Sequence, residues 1–407
     1  MPTLFQINVC ANRGSTGRIA EQIGELAISR GWESYIAYGR GVGQSKSRTI
    51  KVGTTIGVFV HALLTRLTDR HGLFSSAATR RLVRRIHQIK PDIVHLHNIH
   101  GYYLNYKILF DYLRQENIPV VWTLHDCWSM TGHCTHFEMA KCDRWKSGCY
   151  DCPEKLAYPR SILLDSSRKN YAEKREAFSS VENLTLVPVS NWLRGIVKES
   201  YLKGCDAKVI CNGVDTDIFK PAAENNLREQ YNIPRDKKII LGAATTWNDY
   251  KGFGDFAKLY ELLPKDRYQI VMIGLTQNQQ NRIPKGVIGL QRTENVEALA
   301  RWYSAADVFI NPTYEDTYPT TNLESISCGT PVVTYKTGGS PESLTTNTGC
   351  VVEKGDIAGV AQAIEALCSE DRNEIRERCR EYAVAHFDKK DCFNNYLELY
   401  ERILTSR

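Results

Sequence analysis

Two kinds of segment are missing from this 407-residue sequence, and each absence narrows its class. No stretch reaches about 18 apolar residues, the length that a membrane-spanning helix needs. The N-terminus has no basic stretch followed by a long apolar one, so it does not resemble a secretion signal. Glycine and proline, at 28 and 14 residues, are too few for a fibrous or disordered chain. The sequence therefore predicts a folded cytoplasmic protein.

The net charge is also small. The formal net charge is only +6, which gives no reason to expect nucleic acid as a partner, although it suits an anionic substrate or membrane surface. Part of this charge is concentrated at helical spacing in four arginines: Arg80, Arg81, Arg84 and Arg85. Such a basic face is either simply solvated or docks on a membrane, which would place the protein peripherally at the inner face.

The length and the order of the apolar segments predict a two-domain α/β protein. At roughly 150 residues per domain, 407 residues correspond to two or three domains. Short apolar runs alternate with amphipathic stretches, which is typical of βα units and parallel sheets. One series of runs lies within 4–190 and a second within 237–336, with a loop rich in Gly, Asp, Asn and Pro between them at 209–226.

We therefore expect an N-terminal domain at 1–188 and a C-terminal domain at 189–387. Residues 388–407 have a helical period that places four apolar residues on one face: Phe393, Tyr396, Leu397 and Tyr400. We expect this last helix to pack back on the N-terminal domain.

Ligands of parallel α/β sheets bind at the carboxyl ends of the strands. The first strand is followed by a loop with Gly14 and Gly17, which either lets the backbone approach a ligand or is an ordinary turn. The strand VVWTL is followed by His125 and Asp126, a polar pair that would project into a cleft rather than into the core. These two loops are the candidate sites of the first half.

The second half offers a further candidate in the segment DTYPTTNLE. A helix is expected to start near Thr320, so that the amides of Thr320 and Thr321 would bind an anion. Asp316 and Glu324 flank this point, and their carboxylates suit sugar hydroxyls, or else cap the helix. Lys251, after the strand IILGAAT, can neutralise a diphosphate, although a solvated lysine before a helix is the alternative.

Several motifs occur in an order that resembles one known family. The family's segment between domains is resembled by NGVDTDIFKP, and the strand before its donor site by AADVFINPT. Its donor-site helix and following loop are resembled by ESISCGTPVVTYKTGGSPE. GSTGR, KPDIVHLH and TLHD agree in order and placement. Over essentially its whole length the chain is thus similar to retaining glycosyltransferases of family 4, and among them to bacterial enzymes that build surface polysaccharides. The resemblance implies the GT-B fold, two Rossmann-like domains whose parallel sheets face each other across a cleft.

The resemblance also implies roles for residues that bind the donor. Glu324 would bind the ribose hydroxyls of a UDP- or GDP-sugar, and Asp316 or its neighbour Glu315 would contact the donor sugar. Tyr318 stands in a Thr-Tyr-Pro stretch that replaces the family's usual Gly-Phe-Gly, and it is therefore a candidate for donor choice.

Other positions match the family's phosphate and sugar contacts. Lys251 matches its diphosphate-binding lysine, but the arginine that the family carries shortly before it is absent, and Arg292 is a candidate substitute. His125 matches the histidine that faces the donor sugar. Gly14 and Gly17 match the loop that lies under the diphosphate.

The implied reaction transfers a sugar to a glycan or lipid-linked glycan with retention and without a catalytic divalent metal. The leaving phosphate itself would help to deprotonate the attacking hydroxyl, so no protein nucleophile is required. Two alternatives stay open. One is a sugar-nucleotide epimerase, for which the sequence offers no clear acid and base pair, and the other is a catalytically weak carbohydrate-binding relative, which the absent arginine would suit.

The chain has thirteen cysteines, most of which occur singly in apolar segments. The exception is an insertion at 127–153, in which four cysteines lie within 19 residues and the last two form a CxxC: Cys134, Cys142, Cys149 and Cys152. Four such thiols suit a structural zinc, which would stabilise an insertion too short to have its own core. Free thiols and disulfides are the alternatives, and disulfides are disfavoured in the cytoplasm.

Overall fold

A computed structural model describes residues 1–222 and 226–406. Residues 223–225, which belong to the loop expected at 209–226, and residue 407 lie outside the described residues. The chain divides into two compact units, Met1–Cys211 with Phe393–Arg407, and Asn212–Cys392. Each unit is built on one parallel sheet with helices between its strands, which confirms the predicted α/β class.

The first unit contains a seven-stranded sheet in which neighbouring strands are parallel. The strands are β1 (Thr3–Ala11), β2 (Glu33–Val42), β3 (Arg48–Lys51), β4 (Ile93–Leu96), β5 (Val120–Leu124), β6 (Leu184–Pro188) and β7 (Asp206–Ala207). Their order is β3-β2-β1-β4-β5-β6-β7. The helices of this part are α1 (Gly14–Ser29), α2 (Thr55–Thr68), α3 (Ser76–Ile89), α4 (Tyr106–Glu116), α5 (Ser167–Phe178) and α6 (Asn191–Glu199). Strands β4 and β5 are buried throughout, because the central strands of a parallel sheet are covered on both faces.

The second unit contains a six-stranded parallel sheet. Its helices are α7 (Leu227–Gln230), α8 (Phe253–Leu262), α9 (Gln277–Gln280), α10 (Val296–Ala305), α11 (Thr320–Ser327), α12 (Ile357–Ser369) and α13 (Arg372–Phe387). Its strands are β8 (Lys238–Ala243), β9 (Tyr268–Ile273), β10 (Ile288–Leu290), β11 (Val308–Asn311), β12 (Val332–Tyr335) and β13 (Gly349–Val352). The order β10-β9-β8-β11-β12-β13 makes β8 and β11 the two central strands.

The division between the units falls after Cys211, whereas the sequence placed the domain boundary after residue 188. The segment between these two points contains α6 and the short strand β7, which pairs with β6. Because β7 extends the first sheet, its residues group with the first unit. A two-residue strand is too short to be recognised from its periodicity.

The last helix, α14 (Lys389–Thr405), contributes its residues from Phe393 onward to the first unit. Four of its side chains are buried: Phe393, Tyr396, Leu397 and Tyr400. The hydroxyl of Tyr400 lies 2.6 Å from Nδ1 of His95, and the hydroxyl of Thr123 donates to Tyr396 over 3.0 Å. The apolar face of α14 therefore completes the core beside β4 and β5.

Replacing Leu397 by alanine tests how much this helix stabilises the chain. Leu397 has 0% exposed surface, so the change leaves a cavity, and we expect a loss of about 2–5 kcal/mol in the free energy of unfolding. Urea unfolding followed by circular dichroism measures it. Leu262→Ala, at a leucine that is 54% exposed, is the matched control and should stay within about 0.5 kcal/mol of the parent. Equal effects of the two changes would contradict a core role for α14.

Candidate active site

In the second unit, the loops that follow β8 and β11 lie side by side, because these strands are neighbours in the sheet. The amide of Tyr314 donates to the carbonyl of Tyr250 over 2.7 Å, and the hydroxyl of Thr313 reaches the same carbonyl at 3.2 Å. Both loops stand at the carboxyl edge, where parallel α/β sheets bind their ligands. Lys251 and Asp316, far apart in the sequence, are thereby brought together.

Lys251 ends a short turn that is fixed against the loop after β11. The side chain of Asn248 accepts a hydrogen bond from the Lys251 amide at 3.0 Å. Gly252 follows with φ of +69°, and a Cβ atom there would lie 2.3 Å from the carbonyl oxygen of Pro312. Only glycine fits this close approach. The Nζ atom of Lys251 donates to Oδ2 of Asp316 at 2.5 Å, while the lysine side chain stays 34% exposed.

The two acids considered for the donor sugar have different surroundings. Asp316 is partly exposed, and besides Lys251 its side chain accepts a hydrogen bond from the amide of Tyr318 at 3.3 Å. Glu315 is buried, with 5% of its surface exposed. The structure therefore places Asp316, rather than Glu315, in contact with Lys251.

Helix α11 begins at Thr320, where the sequence predicted a helix start. Its N-cap is Pro319, which provides no side-chain hydrogen bond to the first amides. Thr320 and Thr321 are partly exposed. One turn further, Glu324 is buried and accepts a hydrogen bond from the hydroxyl of Tyr303 at 3.1 Å. The helix thus has an N-terminus that suits an anion, and it holds one carboxylate in a fixed position.

Tyr318 and Arg292 occupy less central positions. Tyr318 is buried, and its carbonyl accepts a hydrogen bond from the amide group of Asn212 at 3.1 Å. Arg292 is exposed and follows β10, which is the edge strand and is separated from β8 by β9. The order of the strands therefore keeps the backbone of Arg292 two strands away from the strand that leads to Lys251.

A buried carboxylate that the sequence reasoning missed holds the loop after β11. Asp255 lies in the first turn of α8 and accepts hydrogen bonds from the hydroxyls of Tyr314 at 2.8 Å and Tyr335 at 2.9 Å. Burial and the hydrogen bond to Asp255 raise the pKa of Tyr314 to about 12. The sequence signal was weak, because an acid in the first turn of a helix is common as a dipole partner.

The loop after β12, which the sequence motif TGGSPE placed beside the donor-site helix, packs directly on Asp316. A Cβ atom at Gly338, where φ is +50°, would lie 1.8 Å from the backbone oxygen of Asp316. The amide of Gly339 donates to the same oxygen at 3.1 Å. The buried side chain of Asn322 donates to the hydroxyls of Ser340 and Ser343 at 3.1 and 2.9 Å. The loops after β8 and β12 therefore both hold the segment that carries Asp316.

In the first unit, a chain of hydrogen bonds runs across β1, β4 and β5 to His125. The amide nitrogen of Gln6 donates to the carbonyl of Ala20 at 2.8 Å, and the amide oxygen of Gln6 lies 3.0 Å from Nε2 of His97. Nδ1 of His97 lies 3.2 Å from Nε2 of His125, and the two rings are stacked. Strand order explains this, because β4 lies between β1 and β5.

This chain fixes the tautomer of His125. The amide nitrogen of Gln6 donates to Ala20, so it is the amide oxygen of Gln6 that faces His97. This oxygen can only accept a hydrogen bond, and Nε2 of His97 must therefore carry a proton. Nδ1 of the neutral His97 then accepts the proton of Nε2 of His125, which leaves Nδ1 of His125 unprotonated. Burial lowers the pKa of His125 to about 4. At neutral pH the side chain of His125 is therefore uncharged.

Asp126, the next residue, orients the loop that follows β5. Its carboxylate lies 2.8 Å from Nε2 of His100 and accepts the amide hydrogen of Trp128 at 2.9 Å. Burial alone would raise the pKa of Asp126, but the charge and hydrogen bond of His100 outweigh burial and lower it to about 2. Together with His97 and His125 these groups line a small pocket.

The two glycines after β1 have different roles. Helix α1 starts at Gly14, which has φ of +69°, and its N-cap Arg13 provides no side-chain hydrogen bond. A Cβ atom at Gly17 would lie 3.2 Å from the carbonyl oxygen of Cys10. Gly17 therefore allows α1 to pack closely on β1, while Gly14 stands at a helix N-terminus that suits an anion.

The cysteine insertion brings its thiols near one another. A hydrogen bond between Cys134 and Cys152 raises the pKa of the first and lowers that of the second, and burial raises the pKa of Cys149 to about 11. Sγ of Cys149 accepts the amide hydrogen of Gly132 at 3.1 Å. Within residues 1–222 and 226–406, no set of three or more His, Cys, Asp or Glu side chains is arranged to hold a metal ion. The zinc site that includes Cys142 stays a prediction.

Comparison with known proteins places this geometry in a family. Residues 16–218 match the family model described as Glycosyltransferase Family 4, and residues 237–370 match the one described as Glycosyl transferases group 1. The two matches together cover most of the chain, including His125, Lys251 and Glu324. The chain belongs to glycosyltransferase family 4.

Relatives and solved structures match this glycosyltransferase over its full length. The putative colanic acid biosynthesis glycosyl transferase WcaC of Escherichia coli (strain K12) is 24% identical over 98% of this chain and 100% of its own. The sucrose-phosphate synthase of Thermosynechococcus elongatus has a TM-score of 0.73 at 18% identity, covering 100% of both chains. Anabaena HepE, solved in complex with UDP-glucose, has a TM-score of 0.67 at 14% identity, also over 100% of both. These likenesses confirm the GT-B fold.

Buried histidines predict that the first unit of the glycosyltransferase loses stability in mild acid. Burial lowers the pKa of five: His61, His71, His95, His97 and His125. The unfolded chain binds protons below about pH 6.5, whereas these folded side chains resist protonation, so stability is present above that pH and falls below it. The second unit contains one histidine, the exposed His386.

Hydrogen–deuterium exchange at about pH 7.5 and about pH 5.5, corrected for the intrinsic exchange rates, measures this difference. We expect protection of β1, β4 and β5 to fall at the lower pH, while the second sheet serves as an internal control. An equal loss of protection in both sheets would contradict the histidine explanation.

Proposed function

We propose that this glycosyltransferase moves a sugar from a nucleotide-sugar to a glycan or lipid-linked glycan acceptor, with retention of configuration. The observation that carries the proposal is the contact between Lys251 and Asp316 beside the N-terminus of α11. A cation, a carboxylate and uncapped helix amides in one place suit a sugar bonded to a diphosphate. The UDP-glucose complex of Anabaena HepE, a protein of the same fold, supports a nucleotide-sugar as the donor.

Donor binding would rearrange the pair of Lys251 and Asp316. A diphosphate carries more negative charge than one carboxylate, so Nζ of Lys251 would turn to the phosphate oxygens. Asp316 would then be released to accept a hydrogen bond from a hydroxyl of the donor sugar. We favour Asp316 over Glu315 for this role, because Asp316 already meets the lysine and Glu315 is buried.

Glu324 is proposed to bind the ribose. Its position one turn into α11 is fixed by Tyr303, which occupies Oε2. A carboxylate accepts hydrogen bonds through both of its oxygens, and we propose that it binds the ribose hydroxyls when the donor is present. Tyr318, Thr320 and Thr321 surround the start of α11, where the backbone amides of the two threonines would meet the diphosphate.

His125 is proposed to accept a hydrogen bond from a hydroxyl of the donor sugar. The tautomer set by Gln6 and His97 leaves its Nδ1 atom as an acceptor, which is the form that this role needs. Gly14, at the start of α1, keeps the position that the family assigns to the loop under the diphosphate.

Catalysis in this scheme is stabilisation of the leaving group. Lys251 and the amides of α11 neutralise the charge that develops on the diphosphate as the bond from the sugar to oxygen breaks. The departing phosphate takes the proton of the attacking hydroxyl on the same face, which gives retention. No side chain acts as a nucleophile, and no step requires a divalent metal.

A place in surface-polysaccharide assembly is supported by the relative WcaC, whose name assigns it to colanic acid biosynthesis and which aligns over its whole length. The acceptor would then be a growing glycan, free or attached to a lipid carrier.

Lys251→Ala is expected to lower kcat by roughly 10²–10³-fold, because it removes a group that acts on developing charge. Steady-state kinetics with the donor found in the screen below measures the change. Lys265→Ala is the matched control, since Lys265 is an exposed lysine paired with Glu261 on the surface of the same unit. Near-normal turnover of the Lys251 variant would contradict the assignment of Lys251 to the active site.

Glu324→Ala is expected to raise the donor KM by about 10–100-fold, because it removes one or two hydrogen bonds between the donor and a charged group. Calorimetric titration with the free nucleoside diphosphate should show the same loss. Tyr303→Phe is the control, because it removes the internal hydrogen bond of Glu324 and keeps the carboxylate. If Tyr303→Phe reproduces the whole effect, the role of Glu324 is structural and not ribose binding.

The test of the function is a screen of UDP-, GDP- and ADP-sugars for hydrolysis or transfer, with the product's anomeric configuration read by NMR. We expect turnover of one donor and an unchanged configuration. Binding without turnover would contradict the proposal and indicate a carbohydrate-binding protein. Conversion of the donor sugar without transfer would indicate an epimerase. An inverted product would overturn retention.

A further inference from the structure

Helix α2 is oriented with its apolar side toward solvent. Its buried residues are the polar His61 and Thr65. Five large apolar residues at helical spacing are exposed instead: Ile56, Phe59, Val60, Leu63 and Leu67. Ile56 is 77% and Phe59 is 68% exposed. A surface helix normally buries its apolar stripe, so this face lacks the cover that the hydrophobic effect would give it.

The inward side of α2 is held by polar contacts. Nδ1 of His61 lies 2.9 Å from the hydroxyl of Ser75, and its Nε2 accepts the amide hydrogen of Gly72 at 3.3 Å. The hydroxyl of Thr65 donates to the carbonyl of His61 at 2.9 Å. Rotating α2 to bury its apolar face would break these bonds and expose His61. The outward orientation is therefore built into the structure.

A second segment extends the apolar face. The amides of Ile162 and Leu164 donate to the carbonyls of Arg66 and Leu67 at 2.7 and 3.3 Å, so residues 161–164 run along the last turn of α2. Ile162, Leu163 and Leu164 are all exposed. We call α2 with residues 161–164 the apolar face. Contiguous exposed apolar surface of this kind marks an interaction site.

The charges of the segment around α2 are almost all positive. Between Lys51 and Lys90 the sequence has eight lysines and arginines and a single acid, Asp69, which is buried. This segment alone carries more positive charge than the net +6 of the whole chain. Asp165, the exposed acid next to 161–164, accepts the backbone amide hydrogens of Cys152 and Ser167.

The basic helix α3 starts beside α2. The ring of Phe74 packs edge-on against His61 with centroids 5.3 Å apart, and Ser75 precedes the first turn of α3. Arg80 and Arg81 follow in its first two turns. Four exposed arginines form no ion pair with any described residue: Arg80, Arg81, Arg84 and Arg85.

We propose that the apolar face docks on the surface of an anionic lipid bilayer, with the arginines of α3 attracted to the headgroups. Exposed apolar residues next to uncompensated positive charge are the features of helices that lie in a membrane interface. Among the described residues, no helix is long and apolar enough to cross a bilayer, so α2 would lie on it. A second copy of this chain is disfavoured, because pairing two such faces would place arginines opposite arginines.

Vesicle sedimentation tests the docking surface without donor or acceptor, so the result does not depend on the proposed reaction. We expect the full chain to bind vesicles of phosphatidylglycerol and phosphatidylethanolamine, and to bind phosphatidylcholine vesicles weakly. Phe59→Ser with Leu63→Ser should weaken binding by about tenfold or more. The matched control is Leu262→Ser with Val384→Ser, two exposed apolar residues of the second unit, which should bind as the parent does.

Two further variants separate insertion of the apolar face into the bilayer from electrostatic attraction of the arginines to the headgroups. Because the parent chain has seven tryptophans, the difference between the fluorescence of Phe59→Trp and that of the parent should shift to the blue on anionic vesicles, which would report insertion at this position. Arg80→Gln with Arg84→Gln should weaken binding to anionic vesicles by roughly fivefold for each arginine, and added salt should reduce that difference.

Three outcomes would overturn the proposal. They are failure of the parent chain to bind anionic vesicles, equal binding by the Phe59 and Leu63 variant, and a dimer in light scattering that this variant abolishes. The last result would assign the apolar face to a second copy of the chain.

Discussion

In the second sheet, β8 pairs with β11, and this pairing is the constraint on which the candidate site depends. It sets the loop of Lys251 beside the loop of Asp316 and lets Gly252 approach Pro312 closely. The loop after β12 then closes on Asp316 through Gly338 and Gly339. A lysine, a carboxylate and the start of α11 are thereby held together by backbone packing, and such preorganised groups are what the proposed stabilisation of a leaving diphosphate requires.

Both units surround their functional groups with buried polar side chains that are paired. In the second unit, Asp255 receives two tyrosine hydroxyls, and in the first, Gln6 and His97 determine which nitrogen of His125 is protonated. Unpaired groups of this kind would be destabilising in a low-dielectric core, whereas paired ones are rigid and specify one arrangement. The same burial lowers the pKa of five histidines in the first unit, which is the reason for expecting it to lose stability in acid.

Two helices of the first unit show that tertiary contacts decide whether an apolar stripe is buried or exposed. In α14 the stripe with Leu397 and Tyr400 is buried beside the central strands. In α2 the stripe with Phe59 and Leu63 faces outward, while His61 anchors the helix. Both stripes have helical spacing in the sequence, so the spacing indicates a face without saying what covers it.

The sequence by itself determined the α/β class, the start of α11 and the family, because these depend on local periodicity, on helix boundary residues and on motifs that are contiguous in the chain. Only the tertiary structure decided that Asp316 meets Lys251 while Glu315 is buried, and that Arg292 follows an edge strand. It also revealed that Asp255 and the loop after β12 support the loop of Asp316, and it turned the apolar side of α2 outward. These features depend on strand order and on contacts between residues far apart in the chain, which local patterns of one sequence do not specify.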